Sequence, residues 1–424
     1  MNGRERLAAA LNHIQPDRAP VDLGACGQTG ISASTLYKLR EKLGLPRKSI
    51  KIIEPFQMLG EVDEDLRQVL GVDIVGLWNA GTMLGYKNEK WKPWKMGDGT
   101  PVLMAGGFEY DLDEKGDIWV YPGGNRNAKY SLHMPNNGFF FDNVMRSPEF
   151  DEDKLTPLDD FKDDFSVASD EDAKYWEEMS LKLFEETDYG ILGILGGAGF
   201  GDVALIPGPS LANPKGIRSL EDWLAAHILY PDYIKEVFKY QTEIALKNLE
   251  IYRQAVGSRI QVIWLSGTDF GAQNSCFTSV PQFREIYKPF YKMINDWVHK
   301  NTGWKTFYHS CGAIEPLIAD MIEMGVDILN PVQCSAKGMD PETLKTKYGD
   351  KLTFWGGGVD TQGVLPYGTA EEVAWQVKER RDIFSRNGGY VFASIHNIVA
   401  KVPPENVIAM FEAFGSLNNQ KVKL

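Results

Sequence analysis

The chain has 424 residues, 43% of them hydrophobic and 24% charged, which suits a soluble globular protein of one large domain or two ordinary ones. Its 45 Lys and Arg against 58 Asp and Glu give a net charge of −13, which argues against nucleic acid as a general partner. No apolar run approaches the roughly 20 residues that span a bilayer, and Met1 to Pro20 lacks an apolar signal core, so a cytoplasmic protein without membrane contact is expected. The four cysteines, Cys26, Cys276, Cys311 and Cys334, are too few and too scattered for a disulfide scaffold and leave thiols free as ligands or nucleophiles.

Residues Gly3 to His13 carry Leu7, Ala10 and Leu11 at helical spacing, and Pro16 and Pro20 end that pattern. A short strand is predicted near residue 20, then a small-residue loop from Ala25 to Gly30. Helices are predicted over Ser34 to Leu45 and Asp63 to Leu70, and an apolar strand over Val72 to Trp78. From Tyr86 to about Val144, aromatic residues alternate with polar ones and turn signals, the texture of an antiparallel meander. The acidic run from Glu149 to Asp170 reads as solvated helix and linker. Residues 86–170 therefore read as an insertion after the second strand of a single domain spanning 1–424. Beyond residue 170 strands and helices alternate, with helices over Glu171 to Thr187, Ser219 to Leu229, Tyr233 to Val256, Val280 to Asn301, Ile314 to Met324, Pro341 to Tyr348, Thr369 to Arg386 and Pro403 to Phe414. Eight strands, near residues 20, 74, 192, 262, 307, 328, 354 and 392, alternating with helices, imply a parallel α/β sheet and suggest a (β/α)8 TIM barrel, with an open doubly wound sheet as the alternative.

In such barrels chemistry lies on the loops after the strands. His309 and Cys311 end the fifth predicted strand, two residues apart and so on one side of it, and imidazole with thiolate is the start of a soft-metal site, zinc first. Cys334 ends the sixth strand and His396 the eighth, and either is a candidate further ligand. The alternatives are a small apolar loop residue for Cys334 and a hydrogen-bonded or substrate-orienting histidine for His396. Asp269 and Asp360 are candidate acid–base or ligand-orienting carboxylates, or N-caps of the helices that follow. Gly196, Gly197, Gln333 and Asn397 stand at strand ends where a large cofactor would be met, although Gly196-Gly197-Ala198-Gly199 lacks a phosphate-loop ending. His13, His133, His227 and His299 receive no role, and Cys276 is read as structural.

The segments Tyr308-His309-Ser310-Cys311-Gly312, Asp327 to Gln333, Phe354 to Gln362, Gly388 to Ile398 and Val402 to Asn406, with the opening Arg4 to Leu11 and Asp17 to Val21, together resemble the uroporphyrinogen decarboxylase superfamily, whose fold is a (β/α)8 barrel. Tetrapyrrole decarboxylases of that superfamily carry an arginine-rich motif after the first strand; here the place reads Leu23-Gly24-Ala25-Cys26-Gly27-Gln28. The sequence is more similar to the branch of cobalamin-dependent methyltransferases, which bind zinc through His-x-Cys and a later Cys. The resemblance implies zinc on His309 and Cys311, completed by His396 or Cys334, since Ser394 and His396 stand where the later Cys is expected. It implies methyl transfer between a small methylated substrate (an ether, thioether or amine, an aryl methyl ether first, given Trp78, Phe200, Trp264, Phe270 and Trp355) and a corrinoid carried by a partner protein. Catalytic roles fall to Asp360, Asp269 and His396, and a homodimer is compatible, since the family includes dimers. A uroporphyrinogen-type decarboxylase and a non-catalytic corrinoid- or tetrapyrrole-binding protein are the alternatives.

Overall fold

The computed structural model describes residues 1–146 and 150–418, so Glu149, where the acidic run begins, lies outside the described residues. Its centre is a curled sheet of seven parallel strands: β1 (Ile74–Leu77), β2 (Gly190–Ile194), β3 (Val262–Ser266), β4 (Lys305–His309), β5 (Ile328–Asn330), β6 (Thr353–Trp355) and β7 (Tyr390–Val391), hydrogen-bonded in chain order. The strand expected near residue 20 is reduced to an extended segment. Val21 makes a single parallel bridge to Phe392, beyond β7, and its carbonyl accepts from the Asp73 amide, just before β1. Pro20 has no N–H to donate, which keeps this ladder short. The segment nevertheless touches both edges of the curl, and the fold is TIM-barrel-like.

Alternation along the strands sorts the core into two layers. Ile74, Leu192, Val262, Phe307, Ile328 and Val391 point inward and pack with Leu7 and Leu11 of the first helix, Gly3–Leu11. Val75, Ile191, Ile263, Tyr308, Leu329, Phe354 and Tyr390 point outward into the helical layer. Each fully buried side chain of this size contributes about 1.5–3 kcal/mol relative to exposure. One glycine is required by close approach: a Cβ on Gly76 would lie 1.9 Å from the Ala25 carbonyl oxygen, so only glycine lets the loop after residue 23 lie against β1.

The predicted helices form, one of them interrupted. The expected helix over Val280 to Asn301 is Val280–Gln282, then a π-helical turn over Phe283–Tyr287, then Lys288–Asn301. Pro289 follows the π turn, and its missing N–H breaks the regular α ladder at that point. The insertion builds two sheets. One is antiparallel throughout: Tyr110–Leu112, Ile118–Val120, Leu132–Met134 and Asp142–Asn143. The other joins Lys92–Lys95 and Pro101–Met104 to Ile50–Glu54 and Leu59–Gly60, a pair that sequence periodicity did not reveal and that precedes residue 86. The acidic stretch is also more than linker, since Phe161 is buried against Trp223 and Asp164 pairs with the buried Arg218 at 2.8 Å.

The sheet's edge is tied to the N-terminus by one buried carboxylate. Asp73 accepts from Arg6 Nη1 at 2.9 Å, Arg18 Nη2 at 3.2 Å and the Val21 amide at 2.9 Å. Removing one partner of a buried ion pair costs about 3–5 kcal/mol. Because both arginines keep some water contact, Asp73→Ala is expected to lower unfolding free energy by about 3 kcal/mol in urea titrations followed by circular dichroism. A loss below about 1 kcal/mol contradicts this account of the edge.

Candidate metal centre

Inward alternation on β4 places Phe307 inside the barrel and His309 one layer higher, at the mouth. The β4–β5 register sets His309 opposite Asn330. The side chains meet there, His309 Nδ1 to Asn330 Oδ1 at 2.6 Å. Asn330 Nδ2 donates to the Trp355 carbonyl at 2.8 Å, so its Oδ1 must accept and His309 Nδ1 must carry the proton. The Nε2 lone pair is thus the accepting one, turned toward the Cys311 thiol. His396 repeats the arrangement: its Nδ1 lies 2.9 Å from Asn397 Oδ1, while Asn397 Nδ2 donates to Gln57 Oε1. A metal-ligating histidine characteristically has its other ring N–H held in this way.

The donor atoms of His309, Cys311 and His396 all lie within 4.8 Å of one another. Cys311 Sγ is 3.4 Å from His309 Nε2. Tetrahedral zinc, with Zn–S about 2.3 Å and Zn–N about 2.0–2.1 Å, holds sulfur and nitrogen about 3.5 Å apart. The three residues therefore fit zinc, with a fourth position left for an outside ligand. Asp269 accepts from the Cys311 amide at 2.7 Å and lies 3.6 Å from His309 Nε2. Burial, opposed by the Asp269 carboxylate, pulls His309 down to about 4, so its imidazole is neutral at physiological pH. Burial, with Asp269 beside it, pushes the Cys311 thiol well above its ordinary value, so a metal must displace its proton.

The other expected residues fall in different places. Cys334 does not join the group. Its amide folds back to the Val332 carbonyl at 2.9 Å, and the thiol packs in the outer layer, where Arg380, Asp340 and Glu379 are the charges it feels. Asp360 caps the chain ahead of helix Val364–Tyr367, accepting from the Gly363 amide at 2.8 Å and the Gln362 amide at 3.3 Å. Gln333 accepts from the Gly312 amide at 2.8 Å, steadying the loop after Cys311. Gly196 lies against the Trp264 indole and Gly197 against Ala245, both with left-handed φ. Of the mouth aromatics, Phe200, Phe270 and Trp355 are buried, while Trp78 and Trp264 are partly exposed. Sequence reasoning missed Asn330 and Gln57. Asn330 stood in a quoted motif, and its place one strand over from His309 was the available signal.

Residues 210–417 match the family Uroporphyrinogen decarboxylase (URO-D), and this part of the chain, which holds His309, Cys311 and His396, is a domain of that family. The structure is similar to that of a methyltransferase from Methanosarcina mazei, with a TM-score of 0.55 over 98% of each chain at 16% sequence identity, a likeness of fold. No curated protein matches the chain. Among the described residues no helix is long and apolar enough to cross a membrane.

The geometry predicts which substitutions matter to zinc. His309→Ala, Cys311→Ala and His396→Ala are each expected to abolish stoichiometric zinc after dialysis, as measured by plasma emission, while Cys334→Ala keeps it. Asn330→Ala is expected to weaken zinc binding by about 10–100-fold. Loss of zinc in Cys334→Ala alone would contradict this ligand set. Zinc affinity, measured against a competing chelator, is expected to rise about tenfold per pH unit between about pH 7.5 and 9, because Cys311 gives up one proton and His309 none. A flat profile would mean that the thiolate is not a ligand.

Proposed function

We propose that the protein is a zinc-dependent methyltransferase that moves a methyl group between a small methylated substrate and the corrinoid of a separate protein. The observation that carries this reading is the His309–Cys311–His396 group, with each imidazole tethered through Nδ1 to an asparagine. The scaffold we infer is a (β/α)8 barrel of the uroporphyrinogen decarboxylase type. The extended segment at Val21 acts as the eighth stave, in one domain spanning 1–424 with the insertion at 86–170.

A zinc ion held there would supply Lewis acidity toward the heteroatom that carries the methyl group. His309, His396 and Cys311 would hold the ion, with the substrate heteroatom as the outside ligand. Asn330 and Asn397 fix the imidazole orientations, and Asp269 fixes the Cys311 main chain. The mouth is the side from which a carrier protein's corrinoid would approach. Trp264, partly exposed at that mouth, favours an aryl methyl ether among the ether, thioether and amine donors. The sequence motifs that resemble the cobalamin-dependent branch, together with the family match and the fold likeness to a methyltransferase, are what favour this assignment. Tetrapyrrole decarboxylation is the weaker reading, because Leu23, Ala25 and Cys26 are buried apolar residues where such enzymes carry arginines.

Zinc-loaded protein mixed with reduced cobalamin and a panel of aryl methyl ethers, thioethers and methylamines is expected to form methylcobalamin, followed by absorbance, and Cys311→Ala to slow this at least about 100-fold. No transfer from any donor, or full activity in Cys311→Ala, would contradict the proposal. Release of CO2 from uroporphyrinogen would favour the decarboxylase.

A further inference from the structure

One strand over from His309, β3 ends in Ser266 and turns at Gly267, two residues before Asp269. A Cβ built on Gly267 would lie 3.0 Å from Trp264 Cζ2, 3.4 Å from Asp202 Oδ2 and 3.5 Å from Gln28 Nε2. Three side chains from three different strand-end loops or strands therefore converge on one point where the chain has no side chain of its own. Cζ2 is two bonds from Nε1, so the indole N–H lies in the neighbourhood of this point. That N–H is shut off from water and donates to no group among the described residues. A buried donor left unpaired costs about 1–3 kcal/mol, and such a group calls for a partner that is absent from the folded chain alone. Asp202 uses Oδ1 to accept from the Ala204 amide at 2.9 Å, which leaves Oδ2 turned to the same point. Burial, with the Asp269 carboxylate adding to it, pushes Asp202 up to about 7, so its carboxyl can also donate a hydrogen bond near neutral pH.

We propose that Trp264 Nε1, Gln28 Nε2 and the Asp202 carboxyl form a donor-lined subsite that holds an acceptor oxygen of the small substrate, a carboxylate or carbonyl group set apart from the methylated heteroatom. This rests on the methyltransferase reading for the identity of the substrate's other end, but the subsite itself does not depend on transfer. Gly267 and Asp269 are two residues apart, and Asp269 is 3.6 Å from His309 Nε2, so the subsite and the metal centre meet on one strand-end loop. The substrate class is thus narrowed from any methyl ether, thioether or amine to those carrying a second, oxygen-bearing group. Hydrogen-bond donors of this kind discriminate well, because a ligand that lacks the acceptor leaves them buried and unpaired.

The test is equilibrium binding to the zinc-loaded full-length protein without cobalamin, by calorimetry, with 3-methoxybenzoate, 3-methoxybenzamide and methoxybenzene as probes. At least one oxygen-bearing probe is expected to bind about tenfold or more tighter than methoxybenzene. Trp264→Phe, which keeps the ring and loses only the N–H, and Gln28→Leu are each expected to erase most of that advantage while zinc content stays at wild-type level. Equal binding of all three probes, no binding of any, or an advantage that survives both substitutions would overturn the proposal. Because zinc content and methyl transfer are read separately, failure here leaves the methyltransferase reading standing. Failure of methyl transfer, with this binding pattern intact, would do the reverse.

Discussion

The hydrogen bond between His309 Nδ1 and Asn330 Oδ1 is the constraint on which the centre depends. It exists because β4 and β5 pair in parallel with His309 opposite Asn330, and because Asn330 is itself locked by the Trp355 carbonyl on the next strand. Three neighbouring strands therefore decide which nitrogen of one imidazole is free. A one-residue slip in that register would turn His309 out of the mouth and into the helical layer. The apolar inner layer beneath the mouth opposes such a slip, since Phe307, on the same strand, would have to leave the barrel interior as well.

Electrostatics at the mouth follow from the same burial. A neutral His309 and a protonated Cys311 let the chain fold without a charged pair buried in its mouth. A metal bound there would exchange the thiol proton for a cation whose charge the thiolate offsets. Asp269 stands beside both residues without joining them, accepting from the Cys311 backbone, and it links the metal centre to the group around Gly267 through Asp202. The soft ligand group of His309 and Cys311 and the polar group around Gly267 are thus held by adjacent strand ends.

Much of this was legible in the sequence because it rests on local pattern. The apolar runs at residues 74, 192, 262, 307, 328, 354 and 392 became strands in that order, and His-x-Cys on one face of a strand end follows from alternation alone. His396 could be named as a candidate for the same reason. What failed to show was direction after a strand stops. Cys334 and His396 both follow strands, yet a tight turn at Val332 sends the Cys334 thiol outward while His396 faces His309, with ring centroids 5.3 Å apart. Asp360 could be read as acid, base or cap, and its bonds to successive backbone amides are those of a cap. The strand Ile50–Glu54 was hidden because its partner, Pro101–Met104, is distant in the chain, and with it went Gln57, the residue that holds Asn397. Long-range pairing is set by tertiary packing that no local window contains.

The central claim is that one sulfur and two imidazoles hold the metal. Zinc K-edge X-ray absorption on the zinc-loaded protein reads this directly. The account predicts a shell of one sulfur at about 2.3 Å with two histidine nitrogens at about 2.0–2.1 Å and one further light atom. A shell with two sulfurs would mean that Cys334 or another thiol moves into the site, and a shell with none would mean that Cys311 does not bind; either result would contradict the account.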